Sequence, residues 1–170
     1  DVPCIHWGYR QEDDIKWYPM DRCYWNYLRV YKQTGVELVD ASPHEIPAEQ
    51  ILLNKMVPAR ADFLAEDIDG VQGFGTLLVV PGGQSLSTGF EFTLPISVVS
   101  NETGSDRFKY RLKVQKQPGR LADPLVIRIH LPNRSQVETV NLDALVQGND
   151  LLIETNLQTD VYLEVVFHVP

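Results

Sequence analysis

Phe108-Lys109-Tyr110-Arg111-Leu112-Lys113-Val114-Gln115 decides the fold class. Apolar and polar side chains alternate here without a slip, and a period of two belongs to a strand whose successive residues point to opposite faces. One face must be covered by a second layer, and the other meets water. Working outward, Leu125, Ile127, Ile129 and Leu131 alternate with Val126, Arg128 and His130, and Val161, Leu163, Val165, Phe167 and Val169 alternate with Tyr162, Glu164 and His168. Residues 26–33, 75–80, 90–94 and 151–155 repeat the pattern less cleanly. Turn formers separate these runs: Gln33-Thr34-Gly35, Pro81-Gly82-Gly83, Asn101-Glu102-Thr103-Gly104, Pro118-Gly119, Pro132-Asn133 and Gln147-Gly148-Asn149. Short strands between regular turns predict an all-β protein, an antiparallel immunoglobulin-like or fibronectin-like sandwich, or two such units in tandem. Very little helix is expected. One or two turns are predicted within residues 48–56, with Pro47 at the first helical position.

Self-comparison supports two related β-units. Leu77-Leu78-Val79-Val80 followed by Phe90-Glu91-Phe92-Thr93-Leu94-Pro95 resembles Leu151-Leu152-Ile153-Glu154 followed by Val165-Val166-Phe167-His168-Val169-Pro170, and each copy reads as a hairpin ending in proline. Leu28-Arg29-Val30-Tyr31 likewise resembles Ile127-Arg128-Ile129-His130. These matches divide the chain into an aromatic-rich extension at residues 1–23, a first unit at 24–100 and a second at 105–170, packed as one domain or two. The 170 residues accommodate either arrangement.

Hydrophobic content of 44% implies a real core rather than disorder. A formal net charge of −8 opposes nucleic acid or an anionic membrane surface as partner, since each needs a cationic face. No apolar run reaches the length of a membrane helix, and the opening Asp1-Val2-Pro3-Cys4 lacks the pattern of a signal peptide. The expectation is a soluble piece of a longer chain. Cys4 and Cys23 lack the paired spacing of a zinc site and are read as a disulfide, hence an oxidising compartment.

Eight of the ten Trp and Tyr residues fall within the first 31 positions: Trp7, Tyr9, Trp17, Tyr18, Tyr24, Trp25, Tyr27 and Tyr31. Such a cluster is either a plug for an irregular segment or a surface for a protein or glycan partner; the candidate surface residues are Trp7, Tyr9, Trp17, Tyr18 and Trp25. Asp67 and Asp69, before Gly70, offer oxygen ligands suited to calcium, but the full twelve-residue loop of a calcium hand is missing, and a solvated acidic turn is preferred. His6, His44, His130 and His168 are scattered, and neither H-E-x-x-H nor G-x-S-x-G occurs. Lys109, Arg111 and Lys113 form a cationic row read as the wet side of a sheet. Pro81-Gly82-Gly83-Gln84-Ser85 lacks the lysine of a phosphate loop and reads as a hairpin turn. Sequons stand at Asn101-Glu102-Thr103 and Asn133-Arg134-Ser135. No cofactor is indicated.

Three stretches carry a resemblance: Cys23-Tyr24-Trp25-Asn26-Tyr27-Leu28-Arg29-Val30-Tyr31, Gly73-Phe74-Gly75-Thr76-Leu77-Leu78-Val79-Val80-Pro81-Gly82-Gly83, and Tyr110-Arg111-Leu112-Lys113-Val114-Gln115-Lys116-Gln117-Pro118-Gly119. Together they resemble the C-terminal part of a family of large bacterial surface proteins known as domain of unknown function 4012. The resemblance runs over most of residues 23–132. It implies an extracellular, β-rich, non-catalytic region of a membrane-anchored protein, with no catalytic residues to carry over. Gln33-Thr34 and Asn133-Arg134 depart from the family's proline-containing and Pro-Gly turns, which bears on loop geometry only. The expected function is display, spacing or adhesion at a cell surface, with carbohydrate binding through the N-terminal aromatics as the alternative.

Overall fold

The computed structural model describes residues 4–7, 19–21, 23–51, 54–65, 67–101 and 104–170, and of residues 5–7, 19–21 and 49 it describes the backbone only. The protein is all-β with antiparallel sheets, and it divides into two compact units, Asp1–Leu94 and Pro95–Pro170. Among the described residues no helix is long and apolar enough to cross a membrane.

In the first unit β1 (Ile5–Trp7) pairs with β2 (Pro19–Asp21). A three-stranded sheet follows from β3 (Cys23–Gln33), β5 (Asp62–Leu64) and β6 (Val71–Pro81), in the order β3-β6-β5. β4 (Glu37–Ala41) pairs with β7 (Phe90–Thr93) in a separate sheet. One face of β6 meets that second sheet, with the Phe74 and Phe92 rings 5.0 Å apart and Lys32 over Phe92. The opposite face carries a small cluster of Cys4, Ile46 and Val79, joined by Cys23, Trp25, Ile51, Val57 and Leu77. A disulfide links Cys4 to Cys23 across 4.9 Å between Cα atoms, and Cys4 is wholly buried.

The second unit contains β8 (Val99–Asn101), β9 (Arg107–Val114), β10 (Asp123–His130), β11 (Gln136–Val140), β12 (Leu145–Gln147), β13 (Asp150–Leu157) and β14 (Val161–His168). Its sheets run β10-β13-β12 and β11-β14-β9-β8. Ile127, Leu131, Leu151, Ile153, Leu163, Val165 and Phe167 form its buried cluster, with Phe108, Tyr110, Leu112 and Val114 packed against it. Both sheets feed that cluster, so the alternation of β9 does what its period requires: apolar side chains inward, charged ones toward water. Each fully buried aliphatic or phenyl side chain there contributes about 1.5–3 kcal/mol of gross transfer free energy.

The two units share a strand order. In the first, β3 pairs with β6, β5 flanks β6 on its other side, and β4 pairs with β7; in the second, β10 pairs with β13, β12 flanks β13, and β11 pairs with β14. The irregularities match as well, since β4 slips register between Leu38 and Asp40 and β11 slips between Val137 and Thr139. Leu28-Arg29-Val30-Tyr31 and Ile127-Arg128-Ile129-His130 lie in equivalent strands, β3 and β10.

Three sequence expectations need correction. The two repeated segments do not form the expected hairpins: β6 and β7 lie in different sheets, as do β13 and β14, because β6 is already flanked by β3 and β5 and β13 by β10 and β12, which leaves neither a free edge for the strand that follows. Pro81 does begin a turn, with Gln84 N–H donating to its carbonyl at 3.0 Å, but that turn leads out of the sheet. The helical segment shrinks to one 3-10 turn, Ala48–Gln50, with Pro47 in an extended conformation as its N-cap; a second such turn, Ile96–Val98, follows Pro95.

Candidate functional site: the tyrosine face of the first unit

Strand β3 sets the site. In the register of β3 against β6, Tyr27 faces Leu77, Arg29 faces Gly75 and Tyr31 faces Gly73, so Tyr27, Arg29 and Tyr31 stand in a row above two glycines. This row continues the face that carries Trp25 and the disulfide cluster, beyond the point where that cluster covers it. Tyr27 is 36% and Tyr31 47% exposed, large fractions for rings on an ordered strand. The Arg29 guanidinium lies between them, 5.8 Å from the Tyr27 ring centre and with Nη1 3.4 Å from the Tyr31 hydroxyl.

Gly75 explains the posture of Tyr27. A Cβ there would come within 2.6 Å of Tyr27 Cε1, so only glycine leaves room for the ring to lie across β6. Lying across, it reaches β5. Asp62 pairs with Gly75 from that side, and the Tyr27 hydroxyl donates to Asp62 Oδ2 at 2.8 Å. Arg60 Nε meets the other carboxylate oxygen at 3.0 Å, and Thr76 Oγ1 donates to the Arg60 carbonyl at 2.9 Å, tying that residue's backbone to β6. Partial burial and then the hydrogen bond to Asp62 push the Tyr27 phenol above its ordinary pKa.

Beside this network lies a pocket of about 100 Å³ lined by Tyr27, His44, Val57, Pro58, Arg60, Asp62 and Leu77. His44 Nε2 is buried with no hydrogen-bond partner among the described residues. Chemically the pocket holds a carboxylate, a guanidinium, a phenol and an imidazole against apolar walls, with the two ionic groups neutralising one another.

Of the residues singled out from sequence, Trp25 is half-buried against the disulfide cluster and is scaffold. Trp7 contributes its backbone to β1, and Tyr9, Trp17 and Tyr18 lie outside the described residues. Asp67 and Asp69 are exposed in the turn that ends at Gly70, whose carbonyl accepts from Thr34 N–H at 2.9 Å. Among the described residues no group of three or more His, Cys, Asp or Glu is placed to hold a metal ion. His130 and His168 stand on strands and meet carboxylates: His130 Nδ1 is 2.6 Å from Asp150, and His168 lies between Asp106 at 3.2 Å and Glu138 at 3.1 Å. The cationic row on β9 is a paired, wet sheet face, with Lys109 and Arg111 on Glu164 and Lys113 on Asp160. Asp62 and Arg60 escaped the sequence reading, and His44 was read there only as one of four scattered histidines. Gly73-Phe74-Gly75 was their one available signal, because glycines inside a strand mark places where something approaches the backbone closely.

The chain matches no protein family, no curated protein and no solved structure significantly.

Proposed function

We propose that this chain is a non-catalytic extracellular module of a bacterial cell-surface protein, serving in display, spacing or adhesion, with a membrane anchor elsewhere in the parent chain. The observation that carries the reading is the exposed Tyr27-Arg29-Tyr31 row on a rigid strand. Tyrosine and arginine dominate binding surfaces because they combine large contact area with a polar end at modest entropic cost. The Cys4–Cys23 bond fits an oxidising compartment. The resemblance of residues 23–132 to the domain of unknown function 4012 proteins points the same way.

The second unit is, in this reading, a two-layer sandwich acting as a spacer, since its two sheets share one core. Its order departs from the immunoglobulin arrangement, in which the fifth strand joins the first, second and fourth. Here the seventh strand, β14, takes that place between β9 and β11, and the fifth, β12, joins the third and sixth. That exchange brings β9 and β14, near the two ends of the unit, side by side, as in a jelly roll.

The test is binding of the fluorescently labelled, oxidised chain to intact bacterial cells. Saturable binding is expected, weakened at least about tenfold by the double substitution Tyr27→Ser/Tyr31→Ser. No saturable binding, or equal binding by the double variant, would end the proposal. A second reading, carbohydrate recognition, is favoured by the polar pocket beside Tyr27.

A further inference from the structure

We infer that the Tyr27 pocket is a binding site for one neutral sugar unit. The inference deepens the interaction reading above and rests on it. Three properties of the pocket define the ligand. The first is charge: Arg60 Nε and Asp62 Oδ1 stand 3.0 Å apart, so the pocket is neutral, and an anion or cation would have to compete with a pair already made. A neutral ligand meets no such penalty.

The second is the arrangement of donors and acceptors. Asp62 accepts from Tyr27 on one oxygen and pairs with Arg60 through the other, which leaves carboxylate lone pairs on both. Arg60 uses Nε toward Asp62, while its planar fork has four further N–H donors and its side chain is 71% exposed. A ligand group that both donates and accepts, two atoms from another of the same kind, suits that edge. Adjacent hydroxyls on a ring have this property. His44 adds an imidazole whose Nε2 is buried with no hydrogen-bond partner among the described residues.

The third property is shape and polarity of the walls. Val57, Pro58 and Leu77 supply apolar surface, and the Tyr27 ring borders both the pocket and the open row toward Arg29 and Tyr31. A pyranose presents aliphatic C–H on its faces and hydroxyls on its rim, which matches apolar walls closed by a polar edge. At about 100 Å³ the pocket takes the rim of a single unit rather than a drug-sized molecule. Further units of a chain would lie along the Tyr31 side.

The experiment is calorimetric titration of the oxidised full chain with neutral hexoses and N-acetylhexosamines, alongside glucuronate and glucosamine as charged analogues. At least one neutral sugar is expected to bind in the millimolar range, as a single small site allows, and at least about tenfold better than either charged analogue. Arg60→Ala and Asp62→Ala should each weaken it by about tenfold or more, and Tyr27→Phe by less, since the ring survives. Arg60→Ala alters an exposed side chain, so loss of binding there is not loss of fold; unchanged far-ultraviolet circular dichroism checks this. Absence of binding by every neutral sugar overturns the proposal, as do preference for a charged analogue and indifference to Arg60→Ala. Binding to cells that persists without any sugar affinity would overturn the sugar site alone, whereas loss of both would overturn the interaction reading too.

Discussion

The two units share a strand order and the same register slip in their second strands, yet they are held together differently. In the second, seven buried aliphatic and aromatic residues from both sheets form one cluster. In the first, one face of the β3-β6-β5 sheet sets Phe74 against Phe92, while the other is covered only in part, by Cys4, Ile46 and Val79 tied by the disulfide, with Tyr27 and Tyr31 exposed beside them. One topology therefore tolerates two balances. The second unit also leaves side chains such as Val126, Leu145 and Tyr162 exposed, but seven of its buried residues form one cluster, whereas the first unit adds a covalent bond to a smaller one.

The largest effect expected is in the second unit. Leu163 is 2% exposed within the cluster, and Leu163→Ala removes its contacts and leaves a cavity, at a cost of about 2–5 kcal/mol. All three tryptophans lie in the first unit, so their fluorescence follows that unit alone. In a urea titration the circular-dichroism transition of Leu163→Ala should move to lower denaturant with the tryptophan transition unmoved. A joint shift would show that the units do not melt independently. The converse experiment replaces both cysteines by serine. Loop entropy for a bridge between positions 4 and 23 gives about 3 kcal/mol, and only the tryptophan transition should fall.

A smaller effect is expected at Gly75. In Gly75→Ala the new methyl meets the Tyr27 ring at 2.6 Å, and because that ring is partly exposed it swings away, for about 1 kcal/mol. The hydrogen bond to Asp62 is lost with it. The Tyr27 titration, followed by tyrosinate absorbance, should fall back toward the ordinary phenol range. A stable variant with the wild-type titration would mean that the ring does not depend on the glycine. Arg134→Gly acts in the opposite direction: Arg134 sits at φ 69°, where glycine is at ease and a side chain is not, and relief of up to about 1 kcal/mol should appear as a higher circular-dichroism midpoint.

The sequence was most legible where a strand was long and half-buried. β9, β10 and β14 were readable because β9 alternates strictly and the other two nearly so; Val126 and Val166 break the pattern, and Val166 is buried on the row read as polar. β4 and β11 were hidden, and the register slips explain why: a bulge puts two residues opposite one and breaks the period on which the reading depends. β5, β8 and β12 hold three residues each, too few to show a period. The candidate site was legible only in part. The aromatic cluster pointed to the right strand, but its apparent centre was the N-terminal tryptophans, and Trp25 proves to be packing. What distinguishes Tyr27 is the gap in the side-chain layer left by Gly75 and the placing of Asp62 opposite it. Both are pairings between strands far apart in sequence, and no local pattern encodes them.

The smallest effect separates the units by pH on the acid side; on the alkaline side Tyr110, whose phenol is pushed up by burial, gives the second unit a dependence of the same sign as Tyr27 gives the first. Four carboxylates of the second unit are held below their usual range: Asp123 by Arg120, Glu138 by Arg107, Asp160 by the Lys116 amide and Lys113, and Glu164 by Arg111 and Lys109. A lowered carboxylate stabilises the fold above its unfolded pKa of about 4 and loses that contribution as pH falls through the lower folded value. The second unit should therefore weaken below about pH 4, and modestly, because these pairs are solvated and screened. Tyr27 has the opposite sign. Its raised phenol favours the folded first unit below the unfolded value of about 10, and that contribution fades as pH climbs toward the folded one. Acid titration should thus move the circular-dichroism midpoint more than the tryptophan midpoint, and high salt should flatten the acid effect. Alkaline titration should move the tryptophan midpoint, and Tyr27→Phe should remove Tyr27's share of that shift. Equal acid sensitivity of both midpoints, untouched by salt, would mean that the charged face of β9 and β14 contributes nothing to the second unit's stability.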